Sequence, residues 1–240
     1  MLEVLFEDNH CIAVEKPVGW PTTHYSGAEE TVDRLVKSYL KDKYRKPGNV
    51  FLGVVHRLDK PVSGVLLFAR TSKSAARLSE QFRQGSVEKV YWAVVERGTA
   101  ERGTKNRLSG EMPPAGTLED WLRKDQERGV VEVTAPHEPA SKQALLHFQT
   151  KATHEGLALL EVRPQTGRTH QLRAQLAHHG WPIYGDRKYG SSHVFGPGIG
   201  LHACSLTFLH PTRNEPITLV AEVPKAWRGR FAHLLKGLAL

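Results

Sequence analysis

Two cysteines in 240 residues, Cys11 and Cys204, are the first limit on what this chain can be. They lie far apart in apolar contexts, with no C-x-x-C pair to build a zinc site or a redox dithiol. Buried free thiols in a reducing compartment are expected, so the cytoplasm is the expected location. No apolar run approaches the length that spans a bilayer, which excludes a helical membrane protein. The N-terminal run Met1-Leu2-Glu3-Val4-Leu5-Phe6-Glu7-Asp8 is acidic and too short in apolar residues for a secretory signal. Internal repeats and low-complexity tracts are missing too, which excludes a repeat architecture. Acids are in the minority: 25 Asp+Glu stand against 33 Lys+Arg, a net charge of +8. That imbalance favours a polyanionic partner, or else marks an indifferent basic surface.

What is present reads as many short strands and few helices. Leu2 to Phe6 and Cys11 to Val14 predict a hairpin around Asp8-Asn9-His10. From Ala28 to about Tyr44, Val32, Leu35, Val36, Tyr39 and Leu40 recur at helical spacing. Leu52 to Val55 and Val65 to Ala69 predict strands, and Thr71 or Ser72 can cap a helix that Gly85 stops. Val90 to Val95, Ala144 to Phe148, Leu157 to Val162, Leu206 to Leu209 and Ile217 to Val223 supply further strands. A short helix over Thr169 to His179, capped by Thr169 and stopped by Gly180, and a closing helix over Trp227 to Leu235 complete the reading. Gly98 to Pro139 predicts an irregular, partly strand-bearing segment. Strands without a βαβ rhythm imply an α+β fold with a mixed or antiparallel central sheet and flanking helices. One domain over 1–240 is expected.

Chemistry concentrates in three places. His56-Arg57-Leu58-Asp59-Lys60-Pro61-Val62-Ser63-Gly64 sets a carboxylate at the mouth of the apolar run Val65 to Ala69. Aspartate is poor in strands and costly to desolvate unless a cation or donors hold it. Arg163-Pro164-Gln165-Thr166-Gly167-Arg168-Thr169-His170-Gln171-Leu172-Arg173 puts Arg168 and Arg173 at the start of a helix. Exposed N–H groups, dipole and guanidinium there favour an anion, either a substrate phosphate or the Asp59 carboxylate. Read blandly, the two arginines are surface residues of an ordinary helix. Tyr91, in Glu88-Lys89-Val90-Tyr91-Trp92-Ala93, reads on its own as a core aromatic with a polar tip.

Taken together and in order, these segments resemble the pseudouridine synthases of the RluA type. The likeness begins at Glu15-Lys16-Pro17-Val18-Gly19 and continues through His56-Arg57-Leu58-Asp59, Ser63-Gly64 and Lys89-Val90-Tyr91. It ends with Thr166 to Arg173, Pro182-Ile183-Tyr184-Gly185-Asp186, Tyr189-Gly190 and Leu201-His202-Ala203. One departure is Val62, where the family usually has threonine. The resemblance implies the pseudouridine synthase fold with a central cleft, and isomerisation of uridine in structured RNA, transfer or ribosomal. The tRNA pseudouridine synthase C subgroup is a credible placement.

By that resemblance Asp59 matches the essential aspartate, acting as nucleophile or as the group that initiates glycosidic cleavage. Tyr91 matches the tyrosine that packs on the base and assists removal of its carbon-5 proton. Arg173 matches the cation paired with the aspartate, and Arg57 the arginine that fills the place of the extruded nucleotide. His56, Arg168, His170 and Leu201 complete the substrate-binding set, the two histidines as hydrogen-bonding scaffold. Gly185-Asp186 and Tyr189-Gly190 are expected to shape the cleft wall. A compact monomer without a preceding RNA-binding domain is expected, and an isomerisation needs no cofactor. Among the thirteen histidines, His178-His179, His202 and His210 offer no clean ligand set, so no metal is expected.

Two other classes remain at this stage. An RNA chaperone without turnover would gain nothing from a buried nucleophile. A hydrolase of small glycosides normally wants paired carboxylates, and Asp59 has no obvious second.

Overall fold

The computed structural model describes residues 2–23, 30–97 and 112–236. The expected helix start at Ala28 and the first part of the weakly patterned segment, 98–111, lie outside them. The chain divides into two compact units, one of residues 1–89 and 203–222, the other of 90–202 and 223–240. The class is α+β, as the spacing of elements predicts.

In the first unit, β1 (Glu3–Glu7) and β2 (Cys11–Lys16) form an antiparallel hairpin. Asp8 closes it by accepting the backbone N–H groups of His10 and Cys11, both at 2.8 Å. Helix α1 (Val32–Lys43) follows, then the two-residue strand β3 (Gly53–Val54) and β4 (Ser63–Ala69). The described helix begins later than its apolar spacing predicts because Thr31 is extended, at φ −126°. Every residue of β4 is buried, which accounts for its apolar run from Val65 to Ala69. Helix α2 (Ser72–Gln84) is capped as expected: Thr71 accepts the Ser74 N–H, and Gly85 at φ +72° terminates it.

Two later strands return to this unit. The strand order there is β1-β2-β4-β10, with β3 on β4 and β11 (Pro216–Val220) on β10 (Leu201–Leu209). Its core joins Cys11, Val65, Leu67, Leu78, Leu206 and Phe208. Each such side chain, fully buried, contributes about 1.5–3 kcal/mol for the larger apolar residues.

The second unit carries a five-strand antiparallel array ordered β5-β9-β8-β6-β7. Its members are β5 (Glu88–Glu96), β6 (Ala115–Asp125), β7 (Val130–Thr134), β8 (Lys142–His154) and β9 (Leu157–Pro164). Strands β8 and β9 meet in a two-residue turn, Glu155-Gly156, with both residues at positive φ, as a tight hairpin demands. Helix α3 (Gln171–His178), a 3-10 turn at Arg187–Tyr189, α4 (Lys225–Arg230) and α5 (Ala232–Leu235) complete it. The single closing helix expected over Trp227 to Leu235 is broken at Phe231. That ring is buried, set edge-on to Trp227 and Tyr184, and its packing outweighs helical continuity.

The segment expected to be irregular and partly strand-bearing holds an eleven-residue strand, β6. Its inward face reads Leu118, Asp120, Leu122, and the buried acid disguises the alternation. Among the described residues no helix is long and apolar enough to cross a membrane.

Gly64 is the tightest backbone position. It has φ +118°, and a Cβ there would come within 2.1 Å of the Ala203 carbonyl oxygen. Gly64→Ala is expected to lower unfolding stability by about 3 kcal/mol or more, read by denaturant titration. A loss below about 1 kcal/mol would contradict this packing.

Candidate active site

In the first unit, the loop from His56 to Val62 carries three of the sequence candidates. His56 is anchored at the base of the loop. Its Nε2 accepts the Leu67 N–H at 2.9 Å, and its ring stacks on Phe82, centroids 4.7 Å apart. Accepting at Nε2 places the ring proton on Nδ1. Burial, aided by the Lys89 charge, pushes the imidazole down to about 3. His56 is therefore neutral at physiological pH.

Leu58 is buried, and Thr22 holds both of its peptide groups. Thr22 Oγ1 donates to Leu58 O at 2.9 Å and accepts from Leu58 N at 3.1 Å. The Asp59 carbonyl accepts the Val62 N–H at 3.0 Å, closing a turn over Lys60-Pro61. Lys60 O accepts the Gly19 N–H at 2.9 Å and the Lys16 ammonium at 3.2 Å. The backbone on both sides of Asp59 is thus fixed, with the Asp59 side chain half-buried and Arg57 exposed. Val62, the departure from the family pattern, is buried at 2% exposure. A methyl group suits that environment where a hydroxyl would need a partner.

In the second unit, Arg168, His170 and Arg173 cluster at the start of α3. Thr169 is not the cap expected from its residue type. His170 takes that position at φ +49°, without a side-chain cap bond. Gln171 instead ties down the turn before the helix: its Oε1 accepts from Thr166 Oγ1 at 2.8 Å and Arg168 N at 3.0 Å, and its Nε2 donates to Leu145 O. Exposed Arg168 donates from Nε to Gln143 O at 2.9 Å.

Arg173 is buried, 5% exposed, and forks onto Asp186, itself 2% exposed. Nε donates to Oδ2 at 2.7 Å and Nη2 to Oδ1 at 2.9 Å. The guanidinium lies 4.9 Å over the Tyr189 ring, and the Tyr189 hydroxyl meets His170 Nδ1 at 2.7 Å. The Tyr189 hydroxyl also accepts the Val131 N–H. Neither Asp186 nor Tyr189 carries a role in the sequence reading beyond shaping a wall. The signal that could have found them is the buried arginine, which requires a carboxylate and a planar partner.

Tyr91 is half-buried on β5, opposite Val162 of β9. Leu201 is buried at the start of β10. His56, Arg57 and Asp59 therefore share one loop of the first unit, while Arg168, His170 and Arg173 share one helix end of the second.

Among the described residues, one group has metal-ligating types close together: Asp8, Cys11 and His210. Its hydrogen bonds oppose that use. His210 Nε2 meets Asp8 Oδ2 at 2.6 Å, and Nδ1 accepts from Thr212 N at 3.3 Å and Arg213 N at 3.1 Å. A metal on Nε2 would require the proton on Nδ1, where backbone donors already point. Burial and the Asp8 charge push the Cys11 thiol up to about 12, far from a thiolate. The group ties the β1–β2 turn to the end of β10.

The sequence model of the RNA pseudouridylate synthase family matches residues 10–178. Over 95% of this chain there is 33% identity to a tRNA pseudouridine synthase C of Pectobacterium carotovorum, of which the match covers 61%. Over 93% of it there is 35% identity to a ribosomal large subunit pseudouridine synthase D of Xylella fastidiosa, covering 66%. The chain thus spans less than two thirds of the length of these two relatives. The solved structure of human RNA pseudouridylate synthase domain containing 4 has the same fold. Its TM-score is 0.74, covering 97% of this chain and 91% of that one at 23% identity.

His56 sets one pH expectation. Its folded value near 3 lies below the ordinary value of 6.5, so between them the unfolded chain binds the extra proton. Stability contributed by the neutral ring is complete above about 6.5 and is lost as pH falls toward 3, by roughly 2–5 kcal/mol. Denaturant titrations of wild type and His56→Gln between pH 3 and 7 should show a steeper acid loss in wild type. Parallel curves would contradict a buried neutral imidazole.

Asp186→Ala leaves a buried guanidinium without its fork partner. It is expected to cost about 3–5 kcal/mol in the same measurement.

Proposed function

The chain belongs to the RNA pseudouridylate synthase family, and from that premise we propose that it converts specific uridines of structured RNA, transfer or ribosomal, to pseudouridine. The observation that carries this reading is the carboxylate of Asp59 on a turn whose peptide groups are pinned on both sides. A nucleophile that must meet one sugar carbon gains most from such fixed placement.

In this reading Asp59 attacks C1′ or initiates cleavage of the bond between uracil N1 and C1′. The freed base rotates, C5 bonds to C1′, and the C5 proton leaves while N1 gains one. Atoms and electrons are conserved, so neither metal nor organic cofactor is called for. By the family resemblance Arg173 serves as the cation for Asp59. Its fork onto Asp186 and the Tyr189 ring beneath it support a role that needs one fixed orientation. Tyr91 stacks on the base and assists proton removal from C5.

Extruding the target nucleotide costs a few kcal/mol of unstacking. Arg57, exposed and planar, offsets part of that cost by occupying the vacated place. His56, Arg168, His170 and Leu201 shape the substrate site around these groups. The net charge of +8 supports an RNA partner. Two buried free cysteines support a reducing, cytoplasmic setting, and a monomer is the proposed working form.

The test uses purified protein and RNA transcribed without modification, scored for pseudouridine at single-nucleotide resolution. Wild type should modify discrete uridines, and Asp59→Asn should do so at least about 10³-fold more slowly while remaining folded. Undiminished turnover by Asp59→Asn would overturn the assignment.

A further inference from the structure

Lys16 ends β2 with its side chain wholly buried. A buried ammonium is costly unless oxygens replace its water. Two carbonyls do so here: Lys16 Nζ donates to Pro17 O at 2.9 Å and to Lys60 O at 3.2 Å. Lys60 O already accepts the Gly19 N–H, so the ammonium is not required to satisfy it. An unbranched apolar side chain would fill the same space without the desolvation cost. What it would lack is the bond to Pro17 O and a positive charge near Asp59, whose field acts on Lys16.

We propose that Lys16 is a positioning residue for Asp59: tethered to the Pro17 and Lys60 carbonyls, its ammonium holds the Asp59 turn and supplies positive potential to the carboxylate from within the same unit. This rests on the reading of Asp59 as the reacting group.

Charge on Lys16 is conditional. Burial pushes its pKa down to about 7, against the pull of the Asp59 charge. Support for Asp59 is therefore present below about 7 and withdrawn as pH rises through it. Stability runs the other way. Between about 7 and the ordinary value of 10.5 the unfolded chain binds the extra proton, so stability rises with pH. The other charged groups on neighbouring segments are Glu3, Glu15, Glu222, Arg57 and Lys60. Glu15 titrates in the same window, because burial and the charges of Glu3 and Glu222 push it up to about 7.

The decisive experiment follows the Lys16 Nζ resonance by NMR through a pH titration of wild type and Asp59→Asn. The midpoint should lie near 7 in wild type and fall by about half a unit or more when the Asp59 charge is removed. An unchanged midpoint overturns the proposal, whether or not the protein turns over RNA. Single-turnover rates on RNA supply the second readout. Wild type should lose activity between pH 6 and 8, and the Glu15→Gln control should keep that fall. Lys16→Met should be about tenfold slower below pH 7, with KM unchanged and no such fall. Lys16→Arg, which keeps its charge, should retain the rate across the range. A Lys16→Met variant that loses only thermal stability and keeps the wild-type pH profile would make the residue structural. Failure of wild type to form pseudouridine would sink the functional reading and leave the titration result standing.

Discussion

The attachment of residues 16–22 to the turn that carries Asp59 is the constraint on which the first unit's chemistry depends. Thr22 occupies both peptide groups of Leu58, while Gly19 and Lys16 converge on the Lys60 carbonyl. Val62 returns to the Asp59 carbonyl. Individually such bonds contribute about 1 kcal/mol each. Their value lies in sharing one short turn, so that the Asp59 backbone cannot shift without breaking several at once. Buried Leu58 and Val62 pin the same turn from its apolar side, and His56 joins it to β4 and α2.

The second unit solves a different problem, the orientation of a buried arginine. Asp186 fixes two of its nitrogens and Tyr189 its plane. Breaking such a pair from one side costs far more than the pair contributes, because a lone buried charge remains. That asymmetry makes the fork a rigid support. Positive-φ His170 and the back-folded Gln171 start the helix where Arg173 can reach Asp186.

Much of this was legible in the residues themselves. The Asp8 turn, the Thr71 cap and the Gly85 stop follow from local chemistry, and all three form as their sequences predict. His56 accepts the Leu67 N–H and is held neutral by burial, a state that its sequence neighbours alone do not reveal. Three features were illegible because distant partners decide them. Strand β6 hides its alternation behind buried Asp120, which is held by Gln175 and His179 from α3 and the residue after it. Thr169 looked like a cap, but the helix starts one residue later, from His170 at positive φ. Phe231 breaks a helical pattern for the sake of an aromatic cluster. Lys16 was visible within a motif, but its burial was not, since nothing local says that β2 ends under another loop.

Uridine isomerisation is the proposal that rests on the family and on the turn carrying Asp59. Nucleotide-resolution mapping of pseudouridine in total RNA tests it most directly, comparing cells that have this gene, lack it, or regain it. The account predicts a small set of positions that lose the modified base with the gene and recover it on re-supply. Identical maps in all three would contradict it.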